Sequence, residues 1–136
     1  SYFHDLGLIG AGIRAEHLER VPFEKLSEED QLIYREHPAK SVEILKDVVN
    51  ANSVMLQAIL QHHERRFGRG LIPNFKVSEL SPLAEIIGIA DEFIHALQDS
   101  IERPGLDPLL KMKNDVFNGF WYPTIRAFSK VFKMKL

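Results

Sequence analysis

The stretch SPLAEIIGIADEFIHALQ, residues 81–98, is the most apolar long segment of the chain. Ser81 is a good helix N-cap residue, and Pro82 suits the first helical position, where its missing N–H costs nothing. Apolar side chains recur at helical spacing at Leu83, Ile86, Ile87, Ile89, Ala90, Phe93 and Leu97. Since a helix that is apolar on most of its surface must be buried, the pattern predicts a central helix in an all-α fold.

Helical patterns with start and stop signals lie on both sides of this segment. Ser27 is a predicted N-cap, and Pro38 is predicted to begin a new helix directly after His37. Further signals predict a helix end at 1–8, a helix capped by Ser53, a loop at 65–76, and helices near 107–118 and 123–133. No alternating apolar run requires a strand. We therefore expect one all-α domain over residues 1–136, a bundle of about six or seven helices, incomplete at its N-terminus and part of a larger protein.

Composition narrows the possible functions. The chain has 136 residues, a net charge of -2 and no cysteine. Without a basic excess, a nucleic-acid polymer or a membrane surface is a poor partner, although a small phosphate ligand needs only local charge. Any metal site must use His, Asp and Glu, and no apolar run approaches the length of a membrane span. We expect a cytoplasmic location, and the oligomeric state stays open.

Several acid and imidazole groups are not explained by core packing. Asp91 lies inside the most apolar helix, where a carboxylate is costly unless a cation or hydrogen-bond donors meet it. It could instead point outward, and histidines at a helix end are often solvated. Taken together, however, the candidates form a mixed nitrogen and oxygen set suited to Fe, Mn or Zn: His4, Asp5, His37, His62, His63 and Asp91.

This set contains more ligands than one tetrahedral metal ion binds. Neighbouring residues of a helix diverge by about 100°, so His4 and Asp5 would serve two ions more easily than one. A carboxylate such as Asp5 can bridge. The set therefore predicts a two-metal centre that holds a phosphate ester and activates water.

The order of these motifs resembles the HD-GYP family, a branch of the HD metal-dependent phosphohydrolases known for hydrolysing the bacterial second messenger cyclic di-GMP. The similar stretches span nearly the whole chain: residues 3–7 (FHDLG), 36–38 (EHP), 62–70 (HHERRFGRG) with Pro73, 87–91 (IGIAD), 103–104 (RP) and 120–128 (FWYPTIRAF).

The resemblance implies an all-α HD-domain fold and roles for particular residues. It assigns the six candidates above to two metal ions, often iron, with Asp5 as the bridge and Asp5 or Asp91 acting on the attacking water. It also makes Arg103 a candidate for binding the substrate phosphate. Arg66 and Arg69 are candidates because their charge could replace that of a family Lys that this chain lacks, although a solvated loop is the alternative for these two arginines.

The chain also departs from the family pattern. Leu8 stands where the family usually has a Lys that helps to bind the phosphate. The signature usually reads Asp-Gly-x-Gly-Tyr-Pro, but here residues 67–73 read FGRGLIP, so the Asp and the Tyr are replaced. The upstream helix, which commonly supplies another ligand, is absent from this chain.

Three hypotheses follow. The first is a phosphodiesterase acting on a cyclic dinucleotide. The altered loop motivates the second, an HD phosphohydrolase acting on another nucleotide or a phosphomonoester. The missing Lys and Tyr motivate the third, a metal-bound sensor or interaction module with weak catalysis.

Overall fold

The computed structural model describes residues 3–12, 14–48, 51–68 and 70–136. All regular secondary structure in these ranges is helical, which confirms the predicted all-α fold. The chain divides into two compact units, residues 1–62 and 63–136. None of the helices in these ranges has the length and apolar character needed to cross a bilayer.

The first unit contains three α-helices and two short 3-10 helices. In chain order they are the 3-10 helix Leu6–Ala11, α1 (Arg14–Arg20), the 3-10 helix Phe23–Lys25, α2 (Glu28–Leu45) and α3 (Ser53–Leu60). Leu8, Leu18 and Leu26 form its buried core. The predicted helix end at residues 1–8 is wrong where the structure describes it. Residues 3–5 form a turn, and the 3-10 helix begins only after Asp5, where the Leu8 N–H donates to the Asp5 carbonyl.

Helix α2 corrects a second prediction. Ser27 caps it as predicted, accepting from the Asp30 N–H at 3.1 Å, but Pro38 lies inside the helix instead of beginning a new one. A proline lacks the N–H that would bond to the carbonyl four residues earlier, here that of Tyr34. That carbonyl accepts a side-chain hydrogen bond from His37 instead, which offsets part of the cost of an interior proline.

Helix α3 begins one residue away from its predicted cap. Ser53 is the first helical residue, and the Asn52 side chain accepts from the Met55 N–H at 2.8 Å. Asn and Ser are equally good caps, so composition alone did not distinguish them.

The second unit contains the predicted long helix as α4 (Pro82–Glu102), but the predicted burial holds for only part of its surface, because Leu83, Ile86 and Ala90 are exposed. The 3-10 helices Arg66–Gly68 and Val77–Glu79 precede it; α5 (Pro108–Lys111), a π-helical turn (Met112–Val116), a 3-10 helix (Phe117–Gly119) and α6 (Tyr122–Val131) follow. Phe128 lies in the core, with edge-to-face ring contacts to Phe93 at 5.3 Å and to Phe117 at 5.8 Å. The main buried cluster of this unit comprises Ile89, Ala96, Met112, Phe117, Phe120 and Phe128.

A buried carboxylate joins α4 to α6. Glu85 accepts from the Trp121 N–H at 2.9 Å and from the Thr124 hydroxyl at 2.8 Å. Trp121 is the N-cap residue of α6, so the carboxylate satisfies an amide at a helix end that its own helix leaves unpaired. The negative charge also suits the positive end of the α6 dipole.

Candidate metal centre

The His4-Asp5 turn is held against α2 by Ser41, which is fully buried. The Ser41 hydroxyl donates to the His4 carbonyl at 2.7 Å and accepts from the Gly7 N–H at 2.8 Å. A Cβ atom on Gly7 would lie 2.2 Å from the His37 carbonyl oxygen, so only glycine permits this approach. These contacts bring Asp5 to His37, across 32 residues of sequence, and the sequence reasoning missed both Ser41 and the role of Gly7.

His37 and His62 are completely buried, and both are oriented in the same way. The His37 Nδ1 lies 2.5 Å from the Tyr34 carbonyl, and the His62 Nδ1 lies 2.6 Å from the Ile59 carbonyl. A carbonyl can only accept, so each Nδ1 carries the proton and each Nε2 of the neutral ring keeps a lone pair. Fixing the tautomer through Nδ1 is the usual way in which proteins prepare an imidazole to bind metal through Nε2.

The two Nε2 atoms converge on one oxygen of Asp5. The Asp5 Oδ1 atom lies 3.2 Å from the His37 Nε2 and 3.5 Å from the His62 Nε2, and the two nitrogens are 3.4 Å apart. Ligand atoms about 2.0–2.2 Å from a shared ion, at ordinary bond angles, are separated by roughly 3.0–3.5 Å. These three atoms therefore have the separations of ligands to one metal ion.

The electrostatics of these groups also favour a cation. Burial raises the pKa of Asp5, but the imidazoles of His37, His4 and His62 beside its two oxygens outweigh the burial and hold the pKa of this carboxyl far below its usual range. Burial lowers the pKa of His62, and the neighbouring Asp5 carboxylate opposes this shift only in part. At neutral pH the site therefore combines an ionised carboxylate with a neutral imidazole that offers a lone pair. Such a set of acceptors repels itself unless protons or a cation lie between them.

His4 contacts the other carboxylate oxygen. The His4 Nε2 lies 2.6 Å from the Asp5 Oδ2, and the His4 ring meets the His62 ring edge-on with centroids 4.7 Å apart. The two oxygens of Asp5 thus face different imidazoles, which is the arrangement required of a bridging carboxylate. Among the six predicted ligands, the structure brings together His4, Asp5, His37 and His62 within the first unit.

The other two predicted ligands belong to the second unit. His63 follows His62 directly in the chain. Asp91 lies on α4 with a side chain only 13% exposed, and its Oδ1 is 3.6 Å from the Nε2 of His95 one turn later. Asp91 is therefore partly buried beside an imidazole, and the roles of His63 and Asp91 as ligands stay predictions.

The loop after His63 is organised around Glu64, a buried carboxylate that the sequence reasoning did not single out. Its Oε1 accepts from the Leu71 and Ile72 N–H groups at 2.9 and 3.0 Å. Burial raises the pKa of Glu64, and these two hydrogen bonds lower it by a smaller amount. Its Oε2 is buried without a hydrogen-bond partner among the described residues. A Cβ atom on Gly70 would lie 2.1 Å from that Oε2, so glycine is required where the loop passes the carboxylate.

The predicted phosphate-binding residues have different surroundings. Arg66 lies in the loop beside the rings of Phe67 and Trp121. Arg103 is the exposed C-cap residue of α4, and Arg69 falls outside the described residues. Leu8, which replaces the family's Lys, is buried in the core of the first unit, where no charge could be solvated.

A helical protein in which buried histidines point at one shared carboxylate is a candidate metalloprotein. Comparison with known families shows which family of such proteins this chain belongs to. The sequence model of the HD domain matches residues 2–115. This chain belongs to the HD-domain family, which supports a metal-dependent hydrolase. No curated protein and no solved structure matches it significantly.

Proposed function

We propose that this protein is a metal-dependent phosphodiesterase that hydrolyses a cyclic dinucleotide, cyclic di-GMP. The convergence of the Asp5 Oδ1, His37 Nε2 and His62 Nε2 atoms is the observation that carries the metal site. The resemblance to the HD-GYP family supports the assignment of cyclic di-GMP as the substrate. A bacterial second messenger as substrate implies that the reaction takes place in the cytoplasm.

The proposed centre has two divalent transition metals, with iron favoured and manganese or zinc as alternatives. His4, Asp5, His37 and His62 are the ligands from the first unit, and we assign His63 and Asp91 to complete the set. When bound, the ions would supply Lewis-acid stabilisation of the phosphate charge and a hydroxide nucleophile at neutral pH. No polymeric nucleic acid is expected as a partner.

The residues of the chain contribute position and charge. The Nδ1 hydrogen bonds of His37 and His62 fix both imidazoles before any ligand arrives, so little reorganisation is needed. Asp5 and Asp91 are the carboxylates that we assign to orient the attacking water and accept its proton. Since Leu8 cannot supply the family's positive charge, we assign phosphate binding to the arginines Arg66, Arg69 and Arg103.

Metal content is the first test of this proposal. Elemental analysis of protein purified without chelator should find about two transition-metal ions per chain. Asp5→Ala should lose most of this metal, because it removes the carboxylate that both sets of imidazoles face. His17→Ala is the matched control: His17 is an exposed histidine on α1, and its loss should leave the metal content unchanged. A wild-type protein without metal would overturn the proposed centre.

A substrate panel tests the reaction. Cyclic di-GMP, mononucleotides and p-nitrophenyl phosphate should be compared at equal concentration on metal-loaded protein, with cyclic di-GMP cleaved fastest. A strong preference for a mononucleotide or a phosphomonoester would favour the second candidate, which the buried Leu8 and the altered loop support. Bound metal and nucleotide without turnover would instead indicate a sensor or interaction module.

A further inference from the structure

Two exposed aromatic rings and a guanidinium meet at the surface of the second unit. The guanidinium carbon of Arg66 lies 5.6 Å from the ring centroid of Phe67 and 5.8 Å from that of Trp121. Phe67 is 73% exposed and Trp121 is 42% exposed. Both distances are within the range of cation–π interaction. We call these three residues the Arg66 platform.

The backbone at the two aromatic residues of the platform has distinct features. Phe67 has a φ of 68°, in the left-handed region that bulky residues rarely adopt and that carries a conformational cost. Trp121 follows the buried Phe120, and its N–H donates to the buried carboxylate of Glu85 at 2.9 Å. Glu85 thus anchors the backbone that carries the Trp121 ring, and the unusual φ of Phe67 is a kind of strain that is concentrated at functional sites.

Packing does not account for this arrangement. The ring of Phe120 is buried and lies 4.7 Å from the guanidinium carbon of Arg65, which also forms an ion pair with Glu92 at 3.0 Å. Arg65 and Phe120 are both buried, so this inner pair belongs to the interior of the unit. The ring of Phe67 lies mostly in water and that of Trp121 is 42% exposed, and clustered exposed apolar surface is typical of a binding site.

The chemistry of the platform fits a nucleotide. A flat aromatic face stacks on any nucleobase, and a guanidinium stacks on bases as well as binding phosphate oxygens. Arg66 and Phe67 also lie in the loop that follows His63, one of the proposed metal ligands. We propose that Phe67 and Trp121 stack on a nucleobase of the substrate while Arg66 binds its adjacent phosphate. This inference rests on the proposed function for the nucleotide class of the ligand.

The fluorescence of Trp121 tests the proposal directly, because it is the only tryptophan in the chain. GMP or AMP should be titrated into the full chain, with ribose 5-phosphate as the ligand that has the phosphate but no base. We expect saturable quenching by the nucleotides and little by ribose 5-phosphate. Phe67→Gly should weaken the nucleotide affinity by roughly tenfold, since one stacking surface is lost. Glycine adopts a φ of 68° without strain, so this variant keeps the loop.

A matched variant tests whether the effect is specific to the platform or is shared by any exposed aromatic ring. Tyr122→Ala removes an exposed ring one residue further along and should leave the quenching curve unchanged. Equal quenching by ribose 5-phosphate, or no effect of Phe67→Gly, would overturn the platform. Quenching does not depend on turnover or metal, so a platform that binds GMP in a protein that hydrolyses no nucleotide would disprove only the proposed function. Turnover of nucleotides without quenching would disprove only the platform.

Discussion

At the scale of single residues, His37 and His62 are each oriented by a backbone carbonyl of their own helical segment. The Tyr34 carbonyl is left without its helical donor by Pro38, and it accepts from His37. The Ile59 carbonyl belongs to the last turn of α3, where carbonyls have no helical donor, and it accepts from His62. Two different defects in helical hydrogen bonding thus produce the same imidazole tautomer.

Glycine at position 7 sets how closely the His4-Asp5 turn approaches α2. Gly7→Ala would place a Cβ atom 2.2 Å from the His37 carbonyl oxygen, so the turn must move away. We expect the free energy of unfolding to fall by about 1–3 kcal/mol, as for other overpacked sites. Urea denaturation followed by circular dichroism would measure the change, and metal content should fall in the same variant.

Gly10→Ala is the matched control for this substitution. Gly10 lies in the same 3-10 helix, Leu6–Ala11, and a Cβ atom there would meet nothing within 4 Å among the described residues. We expect no loss of stability in Gly10→Ala. Equal destabilisation by both substitutions would show that the helix, and not the contact with His37, is sensitive to alanine.

At the scale of the element, α2 contains an interior proline whose position helps to orient a candidate metal ligand, His37. Pro38 lies in the middle of an 18-residue helix and is buried. An interior proline costs about 3 kcal/mol or more in an ordinary helix. Here the freed carbonyl of Tyr34 fixes His37, so the sequence pair His37-Pro38 combines a metal ligand with the residue that orients it.

Pro38→Ala should therefore change the stability of the metal-free protein and its metal affinity in opposite directions. Alanine restores an N–H that competes with His37 for the Tyr34 carbonyl, so we expect metal affinity to fall by up to about tenfold, toward the lower range of effects on outer-shell partners. The same change should raise the stability of the metal-free protein, since a helical hydrogen bond is regained. Thermal unfolding with chelator and a metal titration give the two readouts. A variant with unchanged metal affinity would contradict the proposed role of the proline.

At the scale of the whole molecule, metal binding and folding are coupled through the titration of the cluster. The pKa of His62 in the folded protein lies below its ordinary value of 6.5 because of burial. A group with a lowered folded pKa stabilises the fold above its unfolded pKa, and this contribution is lost as the pH falls through the folded value. Asp5 acts in the same sense, but at more acidic pH, because its pKa is held far below 3.8.

Acidification should therefore release metal and destabilise the protein together. Between about pH 7 and 5 we expect metal content to fall, because protons compete for the imidazole ligands. The melting temperature should fall in parallel, since a ligand bound only by the folded state stabilises it. Elemental analysis after dialysis at each pH, with differential scanning calorimetry, would follow both quantities. Full metal occupancy at pH 5 would contradict the assignment of histidine ligands.

Much of the fold followed from local patterns that do not depend on distant contacts. The all-α class, the helix α4 and the cap at Ser27 were predicted and are confirmed, because apolar periodicity and capping act within a few residues. The predicted burial of α4 was wrong for Leu83, Ile86 and Ala90, because burial depends on which elements pack against each face. The break at Pro38 was predicted wrongly. Its cost is offset by His37, a side-chain partner that helix propensities do not include.

Part of the candidate site could also be predicted from the sequence, and part could not. Its residue types could be read from the chain, since buried acid and imidazole groups conflict with core packing and the motif order resembles a known family. Ser41, Gly7 and Glu64 could not, because their roles depend on which backbone atoms come near them. The contact of the partly exposed Trp121 ring with Arg66 likewise could not be predicted, because it joins residues far apart in the chain.

By itself, then, the sequence determined the helices and the set of chemical groups available for a metal, because both depend on residue type and short spacing. Only the tertiary structure decided that His4, Asp5, His37 and His62 share one cluster and which nitrogen of His37 and His62 faces Asp5. That decision depends on Ser41 and Gly7 holding the first turn against α2 and on the Tyr34 and Ile59 carbonyls that orient the two imidazoles. Such contacts join residues far apart in the chain, and no local pattern encodes their distance.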